Sequence, residues 1–220
     1  MKAKNEIIKK IQTMVGTYSA YTIFSDWVEC CALSVQNSST LIRDKLWNDR
    51  EEQYLRIIKK YDEKSRFTFS YMFYLLGCAL EEEIEDVLGD VFMKSGCYSK
   101  ELGQFFTPFH LSKITANLNI PKHISENEKI TINEPSTGAG GMIIGVASIL
   151  KERGINYQRV MEVTAQDLDW KGVYMSYLQF SLLGISATVV QGDTLCEPYI
   201  EGAYPEHRIL RTPKKWGVLL

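Results

Sequence analysis

The sequence has no long apolar run. No stretch approaches the ~18 residues of a membrane-spanning helix, and the opening MKAKNEIIKK lacks the apolar centre of a signal peptide. Histidine is scarce: His110, His123 and His207 have no zinc-site spacing, so no metal is expected. The five cysteines, at 30, 31, 78, 97 and 196, cannot all pair and show no ligand spacing. Reduced thiols in a cytoplasmic protein are the expectation. No serine sits in a G-x-S-x-G elbow, and no lysine follows a G-x-x-x-x-G, so neither a hydrolase nucleophile nor a triphosphate-cradling loop is indicated. Net charge is −2, so no global positive field announces a nucleic-acid partner, although a local basic face remains compatible with that value. Proline is sparse, and no two prolines adjoin. There is no internal repeat and no low-complexity segment.

What is present suits one or two ordinary globular domains: 220 residues, 45% hydrophobic and 24% charged. The first 97 residues read as helix. Ile7, Ile8, Ile11, Met14, Val15 and Tyr18 recur at helical spacing, and Tyr21 to Val35 continues with Phe24, Trp27, Val28 and Leu33. NSST then interrupts, with Ser39 or Thr40 placed to cap a third helix through Leu46, Trp47, Tyr54, Leu55 and Ile58. A fourth helical segment runs from Phe67 to about Lys94, and Gly96 stands where a C-terminal cap belongs. Its acidic run, Glu81 to Asp86, reads as a solvated helix face.

Residues 98–220 differ in character. After a connector reaching to about residue 128, KITINEP reads as a strand and GMIIGVASILKERG as an amphipathic helix ending at Gly154. VMEVTAQDLD is a second strand, WKGVYMSYLQFSLLG a helix closed by Gly184, SATVVQGDTL a third strand, and WGVLL a possible fourth. Alternating strand and helix predicts an α/β domain with a parallel sheet and right-handed crossovers.

Ligands of such sheets bind beyond the carboxyl ends of the strands. Gly138, Gly140 and Gly141 follow the first strand, where backbone must approach a ligand and the next helix offers free N–H groups. Asp167 ends the second strand, placed to accept from ribose hydroxyls, and Asp193 ends the third, placed to accept from an adenine amino group. Leu168 or Trp170 could pack on an adenine ring, while Asp169 reads as a helix cap. The three strand ends together fit an adenosine-bearing cofactor. Pro135 before Gly138, the lack of G-x-G-x-x-G, and a separation from the glycines to Asp167 longer than roughly 20 residues argue against a nicotinamide or flavin.

LGQFFTPFHLSKI (102–114), INEPSTGAGGMIIGVA, AQDLD and QGDTL, in that order, resemble the N6-adenine DNA methyltransferases, most closely in pattern the methylation subunits of type I restriction–modification systems. The resemblance covers roughly residues 84 to 196. It implies a Rossmann-like S-adenosylmethionine-dependent methyltransferase sheet, incomplete at its C-terminal side, behind an all-helical region. It carries Gly103, Phe105, Thr107 and Pro108 into the segment that lies against the methionine part of S-adenosylmethionine. Glu134, Pro135, Ser136, Gly138 and Gly140 match the family's Asp-Pro-x-x-Gly-x-Gly turn, with glutamate in place of aspartate. Asp167 falls on the ribose-binding acid, and Gly192 and Asp193 on the adenine-contacting segment. DNA is the implied partner, directly or through a specificity or catalytic subunit or a second copy.

The family's Asn- or Asp-Pro-Pro-Tyr/Phe tetrapeptide accepts hydrogen bonds from the target amine and stacks on the flipped adenine. It is not found in this sequence; NEPS at 133–136 belongs to the cofactor turn. Three readings stay open. The chain is an active methyltransferase completed by another chain or a fragment of a longer one, or it is an inactive accessory or DNA- and partner-binding module, or its α/β part is a relict. A small-molecule methyltransferase has no feature in its favour. A sheet without the later strands also predicts an unpaired edge needing cover. His207, Arg208, Arg211, Lys214 and Lys215, with Tyr204 and Trp216 nearby, form the most basic cluster and a candidate phosphate contact, and Lys59, Lys60, Lys64 and Arg66 a weaker one.

Overall fold

The computed structural model describes residues 2–97, 106–124, 128–215 and 217. Five helices come first: α1 (Lys2–Met14), α2 (Ala20–Ser39), α3 (Lys45–Ile58), α4 (Glu63–Glu82) and α5 (Val87–Lys94). Short polar side chains start four of them. Ser19, Asp44, Asp62 and Asp86 accept from the backbone N–H of Thr22, Trp47, Ser65 and Gly89 and so satisfy donors that a helix leaves free. The cap of α3 is Asp44, not Ser39 or Thr40. Those two hydroxyls instead donate back to Val35 O and Gln36 O, at 2.8 and 2.7 Å, and extend α2 to its end. The expected fourth helix is two, because the chain turns extended at Glu83 and restarts on Asp86.

The α/β part adds α6 (Phe109–Asn119), β1 (Ile130–Glu134), α7 (Gly141–Glu152), α8 (Tyr157–Val160), β2 (Met161–Asp167), α9 (Trp170–Leu182), β3 (Ser186–Gln191) and β4 (Ile209–Arg211). The sheet order is β1-β2-β3-β4, with the first three strands parallel. This is the Rossmann-like arrangement expected. Both crossovers run the same way along the sheet, so right-handedness places α7 and α9 on one face. That face carries Val163, Ala165, Ala187 and Val189, all buried, whereas Glu162 and Thr164 on the other face are half-exposed and Thr131 and Asn133 are exposed.

α9 is buried all round from Lys171 to Ser181, because α2 covers the side turned away from the sheet. One apolar cluster therefore runs from Ile7 and Trp27 in the helical region to Val189 and Leu210 in the sheet. The N-terminal helices pack on α9 and leave β1 as an edge without a neighbouring strand among the described residues. The fourth strand is not WGVLL, most of which lies outside the described residues. It is Ile209–Arg211, antiparallel to β3, a direction possible because a loop rather than a crossover helix precedes it.

Candidate cofactor site

The turn after β1 is pinned from both sides. Gly140, the N-cap of α7, has φ +93°, and a Cβ there would stand 2.6 Å from the Phe180 ring of α9. Gly138 has φ +50°, and a Cβ there would meet the Phe106 ring at 3.1 Å. Only glycine combines that backbone with that closeness. Hydrogen bonds then lock the three strand ends together. Gly138 N donates to Asp167 Oδ2 at 2.7 Å, Asp169 N to Asp167 Oδ1 at 3.0 Å, and Thr194 Oγ1 to Pro135 O at 2.7 Å. Thr137 N donates to Gln166 O at 3.0 Å and Gly192 N to Asp167 O at 2.8 Å.

These ends open onto a cavity of about 270 Å³ walled by Asp86, Phe106, Thr107, Ser136, Thr137, Gly138, Ala139, Gly141, Met142, Asp167 and Gly172. Thr107, Ser136, Gly138 and Asp167 thus line one cavity. Pro108 lines an adjoining hollow that shares Phe106, Thr107 and Asp86. Gly103 and Phe105 lie outside the described residues. Glu134, Pro135, Gly140, Leu168 and Asp193 are not on the cavity wall. The Glu134 carboxylate accepts from Ser136 N at 3.2 Å, and burial, with the charge of Asp167 behind it, raises its pKa. Burial likewise raises Asp167, against the two N–H groups that favour its charged form. Asp193 accepts from Leu195 N and Cys196 N at 2.9 and 3.3 Å, bonds that hold it below the usual carboxylate range. Leu168 is 67% exposed, and Trp170 stacks on Tyr174 of its own helix, ring centroids 5.1 Å apart.

The chemistry of the wall suits a polar ligand. Thr137 Oγ1 is buried and finds no partner among the described residues. A buried hydroxyl left without a partner is costly, and Thr137 itself stands on the cavity wall. The free N–H groups of the first turn of α7 point the same way.

The profile of a family described as N-6 DNA methylase matches residues 84–214, more than half of the chain. The chain belongs to that family. Among solved structures, a protein described as a class I S-adenosylmethionine-dependent methyltransferase from Listeria monocytogenes matches with 13% identity and a TM-score of 0.48. The match covers 88% of this chain and 54% of that one, so the chain spans about half the length of that protein. No curated protein matches the chain.

Two residues of this N-6 DNA methylase chain that line or support the site escaped the sequence reading. Asp86 was grouped with a solvated acidic face. Glu81, Glu82 and Glu83 are indeed exposed, but Asp86 is buried, caps α5 and forms part of the cavity wall. Its signal was the Asp-Val-Leu-Gly stretch, an N-cap followed by apolar residues. Gln179 had no sequence signal. It donates from Nε2 to Asp86 Oδ1 and Ala139 O, at 2.9 and 2.8 Å, and accepts at Oε1 from Leu88 N at 3.0 Å.

Three members of the basic cluster of the methylase chain pair with acidic neighbours. Arg208 pairs with Glu197, Arg211 forks onto both oxygens of Glu206, and Lys215 bonds to Glu162. Trp216 lies outside the described residues. Of the weaker candidates, Lys60 pairs with Asp26 and Arg66 donates to the carbonyls of Ile58 and Tyr61. Among the described residues no helix is long and apolar enough to cross a membrane, and no group of three or more His, Cys, Asp or Glu could hold a metal ion.

Proposed function

We propose that these residues form the cofactor-holding part of an adenine-specific DNA methyltransferase of a restriction–modification type, with S-adenosylmethionine as the ligand. When bound, that cofactor supplies an electrophilic methyl group on a sulfonium. The observation that carries the reading is the convergence of Asp167, the Gly138 turn, Thr137 and Thr107 on one cavity at the strand ends. Asp167 accepts from the ribose, the turn lets backbone approach the ligand, and Phe106 and Thr107 close the opposite wall. Asp193, at the end of β3 and beyond the cavity wall, is the acceptor assigned to the adenine amine.

The acceptor groups for the target amine belong to another polypeptide segment or subunit, since the 220 residues contain no Asn/Asp-Pro-Pro-Tyr/Phe. That same absence favours a second reading, a module that binds cofactor, DNA or a partner without turnover. Titration calorimetry with S-adenosylmethionine and its demethylated product tests the shared claim. Heat of binding is expected, and silence at millimolar ligand with folded protein would overturn it. Radiolabelled methyl transfer separates the two readings. The purified chain is expected to label adenine in DNA poorly or not at all alone, and adding the subunit that carries the tetrapeptide is expected to restore transfer only if the first reading is right.

A further inference from the structure

We infer that Asp86, contributed by the helical region, accepts the α-ammonium at the amino-acid end of the cofactor; this rests on the cofactor reading above. Asp86 is 5% exposed, yet it forms part of the cavity wall. Its two hydrogen bonds, from Gly89 N at 2.8 Å and Gln179 Nε2 at 2.9 Å, both end on Oδ1. No described donor reaches Oδ2, which lies 3.1 Å from where a Cβ on Gly141 would stand, beside the start of α7. No described lysine or arginine pairs with Asp86. Lys4, on α1, is engaged by Glu85 and Asp90 at 2.7 and 3.3 Å.

A buried carboxylate without a counter-ion is expensive. Burial, reinforced by the charges of Asp90 and Glu85, raises its pKa against the two hydrogen bonds it accepts. The cavity wall holds two acids, Asp86 and Asp167, and no basic residue. Such a site favours a ligand carrying positive charge, and the cofactor carries two, a sulfonium and an ammonium. Its α-carboxylate has separate acceptors of charge in the first-turn N–H groups of α7 and the Thr107 hydroxyl. Asp86 is also held by Gln179, which reaches the carbonyl of Ala139 in the glycine turn, so the acid is fixed relative to the site by an independent bond.

Asp86→Asn keeps an acceptor at Oδ1 and the helix cap while removing the charge. Calorimetry on the full chain would use three probes: S-adenosylhomocysteine, its analogue lacking the α-amino group, and 5′-methylthioadenosine, which lacks the amino-acid end. Wild type should bind the deamino analogue about tenfold or more weakly than S-adenosylhomocysteine. The variant should lose a similar factor for S-adenosylhomocysteine and bind the other two unchanged. Equal affinity of variant and wild type for S-adenosylhomocysteine overturns the assignment, as does an equal loss for all three probes, which marks a structural role. A loss that follows Glu134→Gln instead overturns it too. Should Asp86→Asn not fold, equal wild-type affinity for S-adenosylhomocysteine and its deamino analogue overturns it. Wild type that binds none of the probes removes the cofactor reading itself.

Discussion

Asp167 holds the glycine turn through Oδ2 and its own loop through Oδ1, and both oxygens keep a further lone pair for a ligand. Asp167→Ala should weaken S-adenosylhomocysteine binding by about 1.5–3 kcal/mol, roughly ten- to hundredfold in Kd by calorimetry. Gly140→Ala combines a positive φ with a contact at 2.6 Å to Phe180. It should cost about 1–3 kcal/mol of stability in urea unfolding. Asp86 titrates with the opposite consequence from a salt-bridged acid. Its carboxyl is raised by burial, so the folded chain binds that proton more tightly than the unfolded chain does. The stability this contributes is present in acid and lost as pH rises through the raised folded value. Asp86→Asn mimics the protonated form. Its thermal midpoint should match wild type near about pH 4 and exceed it at about pH 7, measured by calorimetric scans. A gain in stability alongside a loss in ligand affinity is the pattern of a residue kept for binding.

At the scale of elements, α9 explains how the site is held. Its sequence was legible as a helix, and the structure gives the reason it is buried on every side: sheet on one side, α2 on the other. Gln179 is one of its buried polar residues and bridges α5, the glycine turn and α9. Gln179→Leu leaves Leu88 N and Ala139 O without that partner and should cost roughly 3 kcal/mol in denaturant unfolding. The strands were legible as short runs between helices and turns, and in β2 Met161, Val163 and Ala165 face the helix layer. α6 was not, having been read as connector. Its large apolar residues Leu111, Ile114 and Leu118 are exposed while the small Ser112 and Ala116 are buried against α7, where Gly145 lets the helices close to contact. Burial of small residues leaves no hydrophobic period to read. β4 was missed because three residues carry no pattern. Pairing with β3 holds it, aided by Thr212 Oγ1, which accepts from Ala187 N and donates to Ile185 O at 2.9 and 2.7 Å.

For the whole molecule, charge sets an expectation about DNA. The formal net charge is −2, and the most basic segment is tied to Glu197, Glu206 and Glu162. The isolated chain should bind duplex DNA no more tightly than the non-specific range, about 10⁻⁴–10⁻⁶ M at physiological salt, by fluorescence anisotropy. Nanomolar binding with a steep salt dependence would contradict this. The sequence by itself determined the three parallel strands with the helices α7 and α9 between them, the glycine turn and its acid partner at the end of β2. Each of these depends on local backbone demands or on a side-chain period, and both are written along the chain. Only the tertiary structure decided that Asp86 lines the cavity with Gln179 bonded behind it, that Arg208, Arg211 and Lys215 pair with acids, and that the helical region shares one core with the sheet. The first of these depends on Asp86 and Gln179, 93 positions apart, meeting at α9, and no local pattern encodes such a meeting.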